Sequence, residues 1–215
     1  MSIAENVARV KAQLAEAAKN CGRDPSGITL CAATKMNDAD AVREAIRAGI
    51  TVCGENRVQE LTAKLAENAY DGAEIHFIGH LQTNKVKQVV GKVSLIQSVD
   101  SLRLLTAINL EAARQGIVQD ILLEVNIGQE ASKSGFRKED IPQIVENLPQ
   151  FPNVCLKGLM AIPPISQNSG DNRKFFQEMC NLSVDITAKK DDIEFGASDF
   201  ILSIKTKQTK TLPHF

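Results

Sequence analysis

The 215-residue sequence predicts an α/β fold of the (β/α)8 TIM-barrel type that is incomplete at its carboxyl terminus. Short β-branched or apolar runs alternate with amphipathic stretches, which is typical of parallel strands joined by right-handed crossovers. The alternation gives six visible units of about 20–35 residues, which match a (β/α)8 barrel better than a doubly wound sheet. No Gly-x-Gly-x-x-Gly follows any of the apolar runs, which argues against a doubly wound dinucleotide-binding sheet.

Each unit has its own sequence signature. The predicted strands are Ile28–Ala33, Thr51–Gly54, Glu74–Ile78, Ser94–Val99, Ile121–Asn126 and Val154–Met160. The predicted helices are Met1–Asn20, Asp38–Ala48, Val58–Glu67, Thr83–Val90, Leu102–Gln115, Asp140–Asn147 and Arg173–Ala188. Asp38 and Asp140 are expected as amino-terminal caps or first-turn acids, and Gly49 and Gly116 as carboxyl-terminal stops.

The carboxyl-terminal end is too short for a complete barrel. A closed barrel needs eight strands, and each βαβ unit takes roughly 30 residues or more. Only 25 residues follow Lys190, so two full units do not fit. We therefore expect a barrel over residues 1–190 and a divergent tail over residues 191–215, in which Ile193–Ile204 forms one more strand at most.

Composition narrows the function classes. A net charge of −1 argues against a nucleic-acid binder held by bulk charge, and no apolar run reaches the ~20 residues of a membrane span. The five cysteines are scattered without a Cys-x-x-Cys pair, which favours reduced thiols in a cytoplasmic compartment over disulfides or a metal site. His76 and His80 have i, i+4 spacing, but they lie at a strand end, where that spacing does not form a helical metal-ligand pair.

Lys35 ends the first apolar strand and begins a polar loop. Period-two alternation places Cys31, Ala33 and Lys35 on one face of that strand and the larger Ile28 and Leu30 on the other. Small residues suit a crowded barrel interior, so the Lys35 amine is predicted to point into a partly desolvated mouth. Such an amine is a nucleophile towards aldehydes. A surface lysine just past a strand is equally compatible with this run.

Polar side chains also follow the other predicted strands, at the barrel end where functional groups lie. Asn56 follows strand two, His80 follows strand three, Lys133 lies in a loop after strand five, and Met160 ends strand six. Structural alternatives remain open: a helix cap for Asn56, a core histidine for His80, a solvated Lys133, and core packing for Met160. One inward lysine among neutral hydrogen-bonding groups suits an aldehyde cofactor better than hydrolysis, because no nucleophile-elbow motif is present.

Several motifs resemble one known family, the pyridoxal phosphate homeostasis proteins, which share the barrel of the alanine racemase N-terminal domain. The matching stretches, together spanning residues 1 to about 190, are Ala33-Thr34-Lys35, Gly54-Glu55-Asn56-Arg57-Val58-Gln59-Glu60, His76-Phe77-Ile78-Gly79-His80-Leu81-Gln82-Thr83-Asn84-Lys85, Gln97-Ser98-Val99-Asp100-Ser101, Ser132-Lys133-Ser134-Gly135-Phe136 and Gly158-Leu159-Met160-Ala161-Ile162-Pro163.

The resemblance implies a role in vitamin B6 homeostasis. Lys35 would carry pyridoxal 5′-phosphate (PLP) as a Schiff base, Asn56 and His80 would line the cofactor face, and Met160 would bound the pocket. The implied protein is a cytoplasmic, monomeric PLP carrier, not an enzyme, and PLP-dependent apo-enzymes are possible recipients. The enzymatic alternative, a racemase-like activity, needs an acid/base opposite the cofactor, and the only tyrosine, Tyr70, lies outside the matching motifs.

Two departures from the family pattern bear on this implication. The family usually has a second lysine two positions after the Schiff-base lysine, and this chain has Asn37 there. The family's last two strands, which cradle the cofactor phosphate, have no counterpart after Lys190. A third reading is therefore a truncated family remnant that does not bind the cofactor.

Overall fold

The computed structural model describes residues 1–130, 134–164 and 172–189. In this part of the chain, six parallel strands form one sheet in the order β1-β2-β3-β4-β5-β6. Strand order that follows chain order is the arrangement of a TIM-type barrel wall, because a doubly wound sheet reverses direction at a switch point. The predicted TIM-barrel-like α/β fold is confirmed.

The elements alternate as the sequence predicts. The strands are β1 Cys31–Ala33, β2 Val52–Glu55, β3 Glu74–Phe77, β4 Leu95–Val99, β5 Gln119–Glu124 and β6 Val154–Met160. The α-helices are α1 Ile3–Asn20, α2 Ala39–Arg47, α3 Val58–Ala66, α4 Leu102–Gln115, α5 Ile141–Glu146 and α6 Arg173–Lys189. Short 3-10 helices cover Pro25–Gly27, Thr83–Gln88, Lys138–Asp140 and Leu148–Gln150.

Several predicted element bounds differ from those of the structure by one to three residues, and one predicted helix is of another type. Strand β1 begins at Cys31 and not at Ile28, because Val52, the first residue of β2, pairs with Cys31. Strand β5 lies two residues earlier than predicted, since Gln119 already pairs with Val154 of β6. The predicted helix Thr83–Val90 is a 3-10 helix, which agrees with its β-branched valines and unfavourable helix propensity.

Caps explain several of the correct helix boundaries. The Asp38 carboxylate accepts a 2.8 Å hydrogen bond from the Ala41 amide at the start of α2. Gly116 ends α4 with a φ of 67°, a left-handed conformation that glycine adopts without strain. Asp140 precedes α5 but makes no capping hydrogen bond, because its carboxylate pairs with Arg137 at 2.8 Å instead.

The sheet has two differently packed sides. The helix-facing side carries the main core, in which Phe77, Ile96 and Ile121 pack with Leu61 of α3 and Leu105 of α4. The inner side, the interior of the barrel wall, carries a small apolar cluster of Leu95, Leu122 and Met160. Ala33, Gly54, His76 and Leu95 are aligned across neighbouring strands and so share this inner side.

The expected seventh strand Ile193–Ile204, the tail 191–215 and Lys133 lie outside the described residues, so the division at residue 190 stays a prediction. Within the described chain, β1 and β6 are the edges of the sheet. Of the helices in the described ranges, none has the length and apolarity that crossing a bilayer requires.

Candidate functional site

The predicted site residues lie at the carboxyl ends of their strands. Lys35 follows β1 by two residues, Asn56 directly follows β2, His80 follows β3 by three residues, and Met160 is the last residue of β6. Because all six strands are parallel, these ends lie along one edge of the sheet.

Lys35 occupies a tight turn after β1. The Asn37 amide donates a 3.2 Å hydrogen bond to the Thr34 carbonyl, which closes a four-residue turn around Lys35 and Met36. Met36 has a φ of 61°, a left-handed conformation that costs a side-chain-bearing residue about 1 kcal/mol or more. Lys35 is half-buried, and its amine forms no hydrogen bond or ion pair with the part of the chain that the structure describes. It is therefore available to a ligand.

A buried polar network lies on the helix-facing side, beneath the Lys35 turn. Glu55 is fully buried at the end of β2, and its Oε1 atom is the centre of the network. Oε1 accepts hydrogen bonds from Thr34 Oγ1 at 2.6 Å, Lys64 Nζ at 2.7 Å and Tyr70 Oη at 2.9 Å. Burial of a carboxylate requires such donors, because desolvating a charge without partners costs several kcal/mol.

Tyr70 belongs to this network and contacts one of the matching motifs. Burial raises the pKa of its phenol, and the nearby Glu55 charge raises it further. Tyr70 therefore stays protonated and donates to Glu55. Tyr70 lies outside the matching motifs along the chain, but its hydroxyl reaches Glu55 of one of them across an interval of 15 residues.

One sequence signal could have revealed the network. Lys64 follows Val58 and Leu61 at three-residue spacing, so it lies on the buried face of α3. A charged residue on an apolar helix face requires a buried partner, and Glu55 supplies it. Sequence analysis singled out neither Lys64 nor that partnership.

Asn56 carries an unpartnered polar atom. Its Oδ1 is buried and has no hydrogen-bond partner among the described residues. Arg57, not Asn56, is the amino-terminal cap residue of α3, so the helix-cap alternative for Asn56 is wrong. Buried amide oxygens are normally paired, and an unpaired one at a strand end points to a ligand.

Gly79 fixes the position of Asn56. A Cβ atom at residue 79 would lie 2.2 Å from the Asn56 carbonyl oxygen and 2.6 Å from its Cα atom. Only glycine permits this approach. The buried Ser98 hydroxyl donates a hydrogen bond to the Gly79 carbonyl, so β4 also holds this turn. The loops after β2 and β3 are thus packed backbone against backbone.

His80 is exposed and oriented by a carboxylate. Its Nδ1 atom lies 2.9 Å from Oδ2 of Asp100, and the His80 side chain is 61% exposed. The Asp100 carboxylate also accepts a 2.9 Å hydrogen bond from the Ser101 hydroxyl, which leaves it well fixed. The core-histidine alternative is wrong for His80. His76 fits that description instead, because it is buried and bonded to Gln97 at 2.9 Å.

Met160 is 1% exposed and packs with Leu95 and Leu122 on the inner side. This environment agrees with the core-packing alternative, and a contact with a cofactor stays a prediction.

The inner side below Lys35 is narrow. A Cβ atom at Gly54 would lie 2.9 Å from Cys31 Sγ and 2.7 Å from Ile78 Cδ1. Burial raises the pKa of the Cys31 thiol to about 12, so it is not a nucleophile at neutral pH. In the ranges that the structure describes, no cluster of histidine, cysteine and carboxylate side chains is suited to hold a metal ion. Among the described residues of this edge, the Lys35 amine is thus a better nucleophile than the Cys31 thiol.

Comparisons with known proteins identify the family of this chain. The chain matches the family of the alanine racemase N-terminal domain over residues 3–196. The pyridoxal phosphate homeostasis protein of Aquifex aeolicus is 40% identical over 182 residues, which are 85% of this chain and 80% of that protein. The homeostasis protein of Pseudomonas aeruginosa is 38% identical over 198 residues, which are 92% of this chain and 86% of that protein.

Among solved structures, PipY of Synechococcus elongatus with PLP bound has a similar fold. It aligns with a TM-score of 0.75 and 28% sequence identity, over 87% of this chain and 83% of PipY.

Proposed function

This chain belongs to the pyridoxal phosphate homeostasis family, and we therefore propose that it binds PLP and serves in intracellular vitamin B6 homeostasis. The proposal rests on two groups at the same edge of the sheet. The half-buried Lys35 amine and the buried Asn56 Oδ1 atom both lack a hydrogen-bond partner among the described residues. PLP supplies an aldehyde that reacts with amines, together with polar ring atoms and a phosphate.

Lys35 is the proposed attachment point. Its uncharged Nζ adds to the aldehyde carbon, a C=N bond forms, and one water molecule leaves. The result is a Schiff base, which holds the cofactor reversibly. Reversible attachment is what a carrier requires, since bound PLP must be released again.

Asn56 and His80 are proposed to contact the cofactor. The Asn56 Oδ1 atom accepts a hydrogen bond from a ligand donor at a position that Gly79 fixes. His80 has Nδ1 engaged by Asp100, which leaves Nε2 for the ligand. Met160 is proposed to bound the pocket from the inner side.

We propose a carrier and not an enzyme. A racemase-type reaction needs an acid/base that faces the cofactor. Tyr70, the only tyrosine of the chain, donates to Glu55 on the helix-facing side and so does not serve that role. The proposed state is a cytoplasmic monomer, and the five cysteines, all of them free, agree with a reducing compartment. PLP-dependent apo-enzymes are the proposed recipients.

An absorbance titration with PLP tests the proposal. We expect the wild-type protein to develop a saturable visible band at micromolar PLP, and Lys35→Ala to lose it. Lys87→Ala removes an exposed lysine and is the matched control, which should retain the band. Borohydride reduction followed by peptide mapping should place the label on Lys35.

A second outcome supports the remnant reading instead. Weak labelling at millimolar PLP, shared equally by wild type and Lys35→Ala, would contradict the carrier function. Exchange of the α-proton of alanine, abolished by Lys35→Ala, would instead favour the racemase-like alternative.

A further inference from the structure

Side chains of α3 hold both peptide groups that flank Lys35. Lys64 Nζ donates a 2.7 Å hydrogen bond to the Thr34 carbonyl, on the amino-terminal side of Lys35. Glu60 Oε2 accepts a 2.7 Å hydrogen bond from the Met36 amide, on the carboxyl-terminal side. These two side chains lie one helical turn apart, with Nζ and Oε2 separated by 3.9 Å. Lys35 is therefore held between two anchors on the same helix.

The hydrogen bond from the Met36 amide to Glu60 lies at the strained residue of the turn. Met36 is the left-handed residue of the turn, with a φ of 61°. Without an acceptor for its amide, this peptide is free to rotate towards a more common conformation. Such a rotation changes the direction in which the neighbouring Lys35 side chain leaves the turn.

We propose that Glu60 is a positioning residue for Lys35, acting through the Met36 amide, with Lys64 as the second anchor. This role rests on the proposed attachment of PLP to Lys35. Glu60 is the better residue to test, because its side chain is 22% exposed and its loss leaves the buried Glu55–Lys64 pair intact. Glu60 also forms a long ion pair with exposed Arg57, at 3.5 Å.

Three variants separate positioning from a general effect on folding. Glu60→Ala removes the acceptor, and we expect PLP affinity to fall about tenfold, the loss that one charge-assisted hydrogen bond supports. Glu60→Gln keeps an acceptor oxygen and should restore the affinity to within about threefold of wild type. Gln59→Ala changes the exposed neighbour on α3 and should match wild type.

Amide hydrogen exchange of the cofactor-free protein gives a readout independent of PLP. The Met36 amide should exchange faster in Glu60→Ala, and at the wild-type rate in Glu60→Gln and Gln59→Ala. Wild-type affinity or wild-type Met36 exchange in Glu60→Ala would overturn the inference, as would a Glu60→Gln variant as weak as Glu60→Ala. Absence of a Lys35-dependent band in the wild-type protein is a different result, because it overturns the proposed function itself.

Discussion

Neighbouring residues at the ends of β1 and β2 differ in their hydrogen-bond partners. Thr34 and Glu55 face the helices, where the Glu55 Oε1 atom takes three hydrogen bonds. Lys35 and Asn56 come one residue later in the same two segments. In the described part of the chain, the Lys35 amine and the Asn56 Oδ1 atom have no partner. A shift of one residue therefore separates Glu55, whose Oε1 atom has three donors although its Oε2 atom has none among the described residues, from two side chains proposed to bind a ligand.

This difference follows from strand geometry. Successive side chains of a strand point to opposite faces, so Gly54 faces the inner side and Glu55, the last residue of β2, faces the helices, while Lys35 and Asn56 lie just beyond the strand ends. Glu55 on the helix-facing side fixes the strand end, whereas Lys35 and Asn56 are the residues proposed to meet a ligand. Changes on the helix-facing side should thus cost stability, and changes on the inner side should cost binding.

Loss of the Lys64 ammonium should have the largest effect on stability. Lys64→Met leaves the fully buried Glu55 carboxylate without its ion-pair partner, and we expect a loss of about 3–5 kcal/mol in the free energy of unfolding. Urea denaturation of the cofactor-free protein measures it. Lys19→Met, at an exposed position of α1, should change the free energy by no more than about 0.5 kcal/mol. Equal effects of the two variants would contradict a structural role of the Glu55 network.

A methyl group at Gly79 should have the next largest effect. In Gly79→Ala, the new Cβ atom meets the Asn56 backbone at 2.2 Å, and relief of this overlap should cost about 2–3 kcal/mol. PLP affinity should fall together with stability, because the turn that carries Asn56 must move. Gly27→Ala is the matched control, since its Cβ atom meets nothing within 4 Å. A stable Gly79→Ala protein with weak PLP binding would show that the loops adjust independently.

Sequence analysis located the strand ends but not the network behind them. Lys35, Asn56 and His80 stood out because polar residues directly after apolar runs are visible in a local pattern. Their place at one sheet edge is as predicted, while their contacts with PLP stay predictions. The strand limits were harder to predict from the sequence, since the start of β1 depends on which residue of β2 lies opposite Cys31.

The Glu55 network could not be predicted from the sequence because its contacts are not local along the chain. Glu55 meets Lys64 across nine residues and Tyr70 across 15, and Lys64 reaches Thr34 across 30. Such partnerships depend on how α3 packs against the sheet, which the period of its apolar residues indicates only in part. The same applies to Gly79, whose contact with Asn56 joins two loops that are separate along the chain.

Removal of one donor from the network should have a moderate effect. Tyr70→Phe deletes a hydrogen bond to a charged group and should cost about 1.5–2 kcal/mol in the free energy of unfolding. PLP affinity should stay within about twofold of wild type, because Tyr70 lies on the helix-facing side. Urea denaturation and the absorbance titration measure the two quantities. A large loss of affinity without loss of stability would place Tyr70 in the cofactor site and would revive the racemase-like alternative.

Removal of the Asn56 amide should have the smallest effect on stability and a clear effect on binding. Since Oδ1 has no partner among the described residues, Asn56→Ala leaves no donor unpaired there and should change the free energy of unfolding by less than about 1 kcal/mol. PLP affinity should fall about tenfold if the atom accepts a hydrogen bond from the cofactor. Asn20→Ala, at the exposed end of α1, should alter neither quantity. An Asn56→Ala protein that is strongly destabilised but binds PLP normally would reverse the comparison, because Asn56 would then serve the fold as Glu55 does.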